Sequence, residues 1–213
     1  MSLPVILGVA RGPAVVTAVL AGYLLGSIPV AVVVGRRHGI DLRSRGDRNP
    51  GYWNAKEQLG GRGALPVLVG DATKGMVAAA IGALVATDGR WWIAYLAVGA
   101  AMIGHAFPVF ARFRGGRSIL TFAGGSLVLS PRAAAAALVV VLVVTLVARS
   151  FPWAARAGVF GYPVMQAFVD SRARVAATGC LMTIIGLRFA MAALADRHRN
   201  APGPAGRSGH ATS

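Results

Sequence analysis

The sequence predicts an all-α bundle of transmembrane helices, on three grounds. The 213 residues are 55% hydrophobic with mean hydropathy +0.61, and only 14% are charged, against about a quarter in an ordinary soluble domain. Apolar runs follow one another with no polar globular insert between them. Arginines gather in alternate links between those runs.

A bilayer core of about 30 Å needs about 20 apolar residues per helix. The runs fall at residues 13–35, 63–86, 91–110, 119–129, 133–148, 158–169 and 175–194. The reading is seven spans, with the fourth and sixth too short to cross comfortably without tilt or burial among neighbours. Residues 1–196 form one transmembrane domain and 197–213 a Pro/Gly/Ser-rich tail, expected to be disordered, in which His210 has no site around it. The N-terminus lacks a basic n-region and a clear cleavage site, so it reads as a retained first span.

The orientation comes from charge. Arg36, Arg37, Arg43, Arg45, Arg48, Lys56 and Arg62 lie in the first link, and Arg112, Arg114 and Arg117 in the link after the third run. Arg149, Arg156, Arg197, Arg199 and Arg207 fall on the same side of an alternating chain, leaving Arg11, Arg90, Arg132, Arg172 and Arg174 opposite and Lys74 and Arg188 within spans. Cytoplasmic links collect Arg and Lys, which places the N-terminus outside and the C-terminus inside. The same bias accounts for the net charge of +15 without nucleic acid, for which no zinc-finger, RNP or helix-turn-helix pattern is present. The single cysteine, Cys180, lies in an apolar run with no partner for a disulfide or a metal; no metal and no cofactor are expected.

Two inside links carry more than connectors need. The first holds Gly46-Asp47-Arg48-Asn49-Pro50-Gly51-Tyr52-Trp53-Asn54. Gly and Asn allow backbone N–H groups to curl into an anion-binding nest, with flanking arginines to bond phosphate; the same composition also suits a basic loop on lipid headgroups. The second holds His105 at a span end, then Arg112, Arg114, Gly115, Gly116 and Arg117. Asp71 and Lys74 sit inside the second run at i and i+3, on one helix face. They are either a structural ion pair or the polar wall of a substrate site.

With these residues in place the sequence resembles the bacterial acyl-phosphate:glycerol-3-phosphate acyltransferases, seven-span enzymes of the cytoplasmic membrane. The matching runs are Tyr23-Leu24-Leu25-Gly26-Ser27-Ile28-Pro29, Gly39-Ile40-Asp41-Leu42-Arg43, Asp71, Lys74 and Gly75 of an Asp-x-x-Lys-Gly, and Gly104-His105-x-Phe107-Pro108-Val109-Phe110 with Gly115-Gly116. Gly46 to Asn54 lies on the family's Gly-Ser-Gly-Asn-x-Gly-Ala-Thr-Asn. Weaker echoes follow at Gly161-Tyr162-Pro163 and Arg197-His198-Arg199. The likeness is close over residues 23–131 and patchy beyond, and several motifs in order are more specific than any one.

The resemblance implies a reaction: the 1-hydroxyl of glycerol 3-phosphate attacks the carbonyl of an acyl phosphate, giving lysophosphatidate and inorganic phosphate, with no metal and no acyl-CoA. It implies His105, Asn54 and Arg117 as the residues that carry the chemistry. Asn49, Gly51, Gly115, Gly116, Asp71 and Lys74 are implied as substrate or phosphate binders, with Arg45 and Arg48, the arginines beside the loop, as supporting candidates. The partners implied are the two substrates and the bilayer.

Several positions depart from the family pattern. The family's serine is Asp47 and its next glycine Arg48; its Ala-Thr is Tyr52-Trp53, and an arginine is matched by Glu57. Gly-Gly-Lys-Gly has become Gly115-Gly116-Arg117-Ser118, Pro152 and Ala155 stand where serines belong after Arg149, and the tail's asparagine is displaced to Asn200. A carboxylate ~4 Å from a phosphate charge is opposed by roughly 4 kcal/mol at an effective dielectric of 20. Asp47 therefore has to turn away or pair with Arg45 or Arg48. The alternatives to an active acyltransferase are a catalytically degenerate relative that binds an anionic lipid or membrane partner, and a small anion transporter.

Overall fold

The structure, a computed structural model, describes residues 11–86 and 89–200. Among them the chain forms helices α1 (Arg11–Gly26), α2 (Val30–Arg37), α3 (Tyr52–Val85), α4 (Trp92–Ala106), α5 (Ile119–Leu129), α6 (Pro131–Ala148), α7 (Phe151–Val169) and α8 (Arg172–Asn200), with a short 3-10 turn at Val109–Ala111. Five helical stretches are long and apolar enough to cross a membrane: Gly12–Arg37, Tyr52–Val85, Trp92–Ala111, Pro131–Ala148 and Arg172–Arg197. The fourth apolar run is indeed short, with 11 helical residues, about 16 Å at 1.5 Å per residue. The sixth is longer than its apolar run suggests: α7 has 19 residues and begins at a Ser150-Phe151-Pro152 start, where proline's missing N–H costs nothing. From residue 201 the expected tail, His210 included, lies outside the described residues, as do residues 1–10.

Two span boundaries differ from the sequence reading, each for a backbone reason. The first run is not one helix: it breaks between α1 and α2 at Ser27–Pro29, where proline removes a ladder donor. The second begins not at residue 63 but at Tyr52. Residues 52–59 make an amphipathic entry helix, and Gly60, at φ 74 and ψ 173, turns it into the span that follows.

Packing follows the small residues. A Cβ on Gly26 would strike the carbonyl of Ala101, and one on Gly104 the carbonyl of Tyr23, so α1 and α4 touch backbone to backbone. Gly75 and Gly124 do the same for α3 and α5, against Thr121 and Ala72. Bundles in lipid gain stability from such close approach rather than from expelling water. A buried chain of hydrogen bonds ties three helices: Gln166 donates to the Tyr95 hydroxyl at 2.9 Å, and Thr178 donates to the Gln166 amide oxygen at 2.6 Å. Large apolar side chains on α6 point outward, Leu142, Leu146 and Val147 among them, as a lipid-facing helix requires. This frame brings the links at residues 38–51 and 107–118 to one end of the bundle.

Candidate active site

The first link is built around Asn54. From the first turn of α3 its buried amide nitrogen donates to the carbonyls of Leu42 at 2.8 Å, Arg45 at 3.0 Å and Asn49 at 3.1 Å. Leu42, fully buried, anchors the same turn from below. Three amides of the link are used within it: Arg48 N–H donates to the Arg45 carbonyl, Asn49 N–H to the Asp47 carboxylate and Gly51 N–H to the Asn49 carbonyl. Local turns and the Asp47 carboxylate thus take these three donors of the expected anion nest. Asn54 itself holds the loop from beneath through its amide bonds and lines none of the three cavities described here. The side chains of Arg45 and Arg48 are exposed and line none of these cavities either. Nearby, Arg43 forks onto Asp41 at 2.8–3.2 Å, and those bonds hold the Asp41 carboxyl down at about 2.

The second link folds back on the end of α4. Gly116 N–H donates to the His105 carbonyl at 3.1 Å. A Cβ on Gly115 would strike that same carbonyl; one on Gly116 would strike the His105 ring and come within 3.2 Å of the Pro50 carbonyl. Both glycines are therefore required by close approach, and Gly116 is where the two links touch. The sequence reading had Asp47 turn away or pair with Arg45 or Arg48; instead it accepts a 2.9 Å bond from Arg117 across the gap between the links. Ser118 closes the loop, its hydroxyl donating to the Met102 carbonyl at 2.7 Å.

Beneath the loops, Lys74 donates to Asp71 at 2.8 Å, both side chains buried. The His105 Nδ1 lies 3.5 Å from the Lys74 ammonium and 3.6 Å from the same Asp71 oxygen. The three groups form one polar cluster, with charge balanced between Asp71 and Lys74, as a low-dielectric interior requires. Among the described residues no group of three His, Cys, Asp or Glu side chains is placed to hold a metal.

A cavity of about 260 Å³ opens beside this cluster. Its mouth is lined by Asn49, Gly51, Asp71, His105 and Arg117, and its body by apolar and small residues of α5, α6 and α7, including Phe122, Ala137, Gly158 and Tyr162. Lys74, Gly115 and Gly116 border a second void of about 10 Å³, the room of one water, behind the mouth. A charged mouth on an apolar channel suits an amphiphile with an anionic head. Sequence reading gave no part to Arg188, counted only as a charge inside a span. It reaches the loop from α8, donating to the carbonyls of Gly115 at 2.9 Å and Gly116 at 3.1 Å. A charge at that depth in an apolar run was the cue.

The glycerol-3-phosphate acyltransferase family model matches residues 16–202. This chain belongs to that family. Among its relatives, glycerol-3-phosphate acyltransferase of Exiguobacterium sibiricum is 46% identical over 113 residues, 53% of each chain. That of Rubrobacter xylanophilus is 43% identical over 117 residues, 53% of this chain and 56% of the relative. These alignments span about half the length of the relatives matched. The fold extends further: the crystal structure of PlsY, an integral membrane glycerol 3-phosphate acyltransferase, in its glycerol 3-phosphate form superposes with TM-score 0.74 at 25% identity, covering 87% of this chain and 92% of that one. Its lysophosphatidic acid form gives TM-score 0.72 at 24% identity.

Three departures from the acyltransferase pattern acquire a physical reading here. Arg48 and Ser118, which replace glycines, both adopt left-handed backbone, at φ 58 and φ 63. At both positions this chain carries a side chain on a backbone conformation that disfavours one. Ala155, where a serine belongs, lines the cavity and offers it a methyl group. Tyr162 of the weak Gly-Tyr-Pro echo is buried against Phe122, ring centroids 5.7 Å apart, on the channel wall.

Proposed function

We propose that this chain is a membrane acyltransferase of phospholipid synthesis, moving an acyl group from acyl phosphate to the 1-hydroxyl of glycerol 3-phosphate to give lysophosphatidate. The observation that carries the reading is the cavity: Arg117, Asn49, His105 and Asp71 stand at its mouth with Lys74 paired to Asp71 behind them, and an apolar channel runs from them among α5, α6 and α7. The acyl tail lies in the channel and the two phosphates at the mouth. Arg117, a fixed cation with a forked donor set, holds phosphate there. His105 shapes the mouth and turns the edge of its ring opposite Nδ1 toward Gly116 and the cavity, where the attacking hydroxyl loses its proton. The oxygen–carbonyl bond forms as the carbonyl–phosphate bond breaks, and the hydroxyl proton ends on the released phosphate. Holding both reactants at one mouth lowers the entropic part of the barrier.

The resemblance supports the bacterial cytoplasmic membrane, with residues 1–196 as one transmembrane domain, and the arginine distribution supports seven spans with both loops inside. Cysteines at positions 43 and 114 then resist a membrane-impermeant thiol reagent in intact cells.

The test of activity is release of inorganic phosphate from palmitoyl phosphate by the purified, detergent-solubilised protein. Release that depends on glycerol 3-phosphate and yields lysophosphatidate supports the reading; no release above the Arg117→Ala variant overturns it. One observation favours a non-catalytic, anion-binding relative instead: Asp47 already holds Arg117. That reading takes over if glycerol 3-phosphate or lipid binds without turnover.

A further inference from the structure

Arg188 is an ionised side chain partway along the last span, and its surroundings show what it is for. Its Nε donates to the Gly116 carbonyl and its Nη2 to the Gly115 carbonyl, while the guanidinium lies 4.8 Å from the centroid of the Phe107 ring. The next residue, Phe189, places its ring 4.7 Å below the guanidinium of Arg117. Two successive residues of α8 thus grip the second loop at two points, the backbone of Gly115 and Gly116 and the side chain of Arg117.

The loop needs such a grip. Arg112, Phe113 and Ser118 all take positive φ without being glycine, and conformations of that kind persist only when surrounding contacts over-determine them. On one side the loop is held by the Gly116 N–H bond to His105. Its far end is tied by the Ser118 hydroxyl to Met102 and by Arg117 to Asp47, and the Gly115 and Gly116 carbonyls are met from the other side by α8. A planar trans peptide points its C=O and N–H in opposite directions, so drawing the Gly116 carbonyl toward α8 turns the Arg117 N–H away from that helix. A guanidinium fits this task better than an ammonium because its donors are fixed in one plane and can meet two adjacent carbonyls.

We propose that Arg188 is a positioning residue: from the last span it fixes the Gly115–Gly116 backbone and thereby aims Arg117 at the phosphate of the substrate. This rests on the acyltransferase reading for its kinetic consequence, though not for its structural one.

The experiment uses the full chain with Cys180→Ala and a spin label at Arg114→Cys, beside the glycines. Arg188→Met removes charge and both bonds at similar length; Arg188→Lys keeps the charge and cannot make both bonds. Supporting results are a more mobile label in both variants. With them goes a rise of roughly tenfold in KM for the phosphate substrate with Arg188→Met, as expected for losing charge-assisted bonds, with kcat less affected and Arg188→Lys intermediate. A label unchanged in mobility overturns the proposal whatever the activity. A mobile label with KM and kcat unchanged overturns the link to Arg117. If Arg188→Met does not fold, Arg188→Lys decides by the same two readings. If the unsubstituted protein shows no turnover, the acyltransferase reading has failed, and label mobility alone decides whether Arg188 fixes the loop.

Discussion

Arg117 and Asp47, seventy positions apart in sequence, meet across the mouth of the cavity, Nη1 to Oδ2 at 2.9 Å. The carboxylate stands against the guanidinium expected to bind phosphate. Both side chains keep some solvent contact, and an exposed pair of this kind is worth about 0–1 kcal/mol, so an incoming dianion can displace it at small cost.

Asp47→Ser therefore increases kcat/KM a few-fold by releasing Arg117, and Arg117→Ala lowers it roughly ten- to a hundredfold, the range of a lost bond to a charged group. The double variant behaves as Arg117→Ala alone, since the serine has no guanidinium left to release. Steady-state kinetics on the four proteins checks this; a loss of activity in Asp47→Ser refutes it and makes the carboxylate part of a working site.

Gly116→Ala abolishes turnover because its methyl collides with the His105 ring and crowds the Pro50 carbonyl. Overpacking of this kind costs about 1–3 kcal/mol and falls where the loops touch. Gly161→Ala, with no atom within 4 Å of the added methyl, leaves turnover intact and stabilises α7 by about 0.5–1 kcal/mol. Thermal melts and phosphate release of both variants test the contrast.

Arg48→Gly raises thermal stability by roughly 1 kcal/mol, because the backbone at φ 58 no longer opposes a side chain. Ser118→Gly gains less, since it also loses the hydroxyl bond to Met102. Equal gains at the two positions show that the Ser118 hydroxyl contributes nothing.

The Asp41–Arg43 pair gives a pH dependence with a defined sign. Asp41 titrates at 3.8 when free and about 2 when folded, so its contribution is present above 3.8 and lost as pH falls through about 2. Asp41 is more than a third exposed, which keeps the effect small. Denaturation of the protein and its Asp41→Asn variant at stepped pH should differ near pH 5, the difference shrinking as pH falls below 3.8 toward 2; a difference as large at pH 2 as at pH 5 contradicts the assignment.

The sequence by itself determined that the chain is a bundle of membrane helices, where most of them lie, and which two links carry the family's residues. Those are properties of composition and spacing: a bilayer demands a minimum apolar length, and close helix contacts demand glycine at particular positions. It located the Asp71–Lys74 pair because i and i+3 share a helix face whatever the rest of the fold does. Only the tertiary structure decided who the partners are across long separations. It gave Asp47 to Arg117 rather than to its neighbours Arg45 and Arg48, set Asn54 under the loop, bonded to its carbonyls, and brought Arg188 of α8 onto Gly115 and Gly116. Such pairings depend on where helix ends arrive in space, which one-dimensional periodicity does not encode.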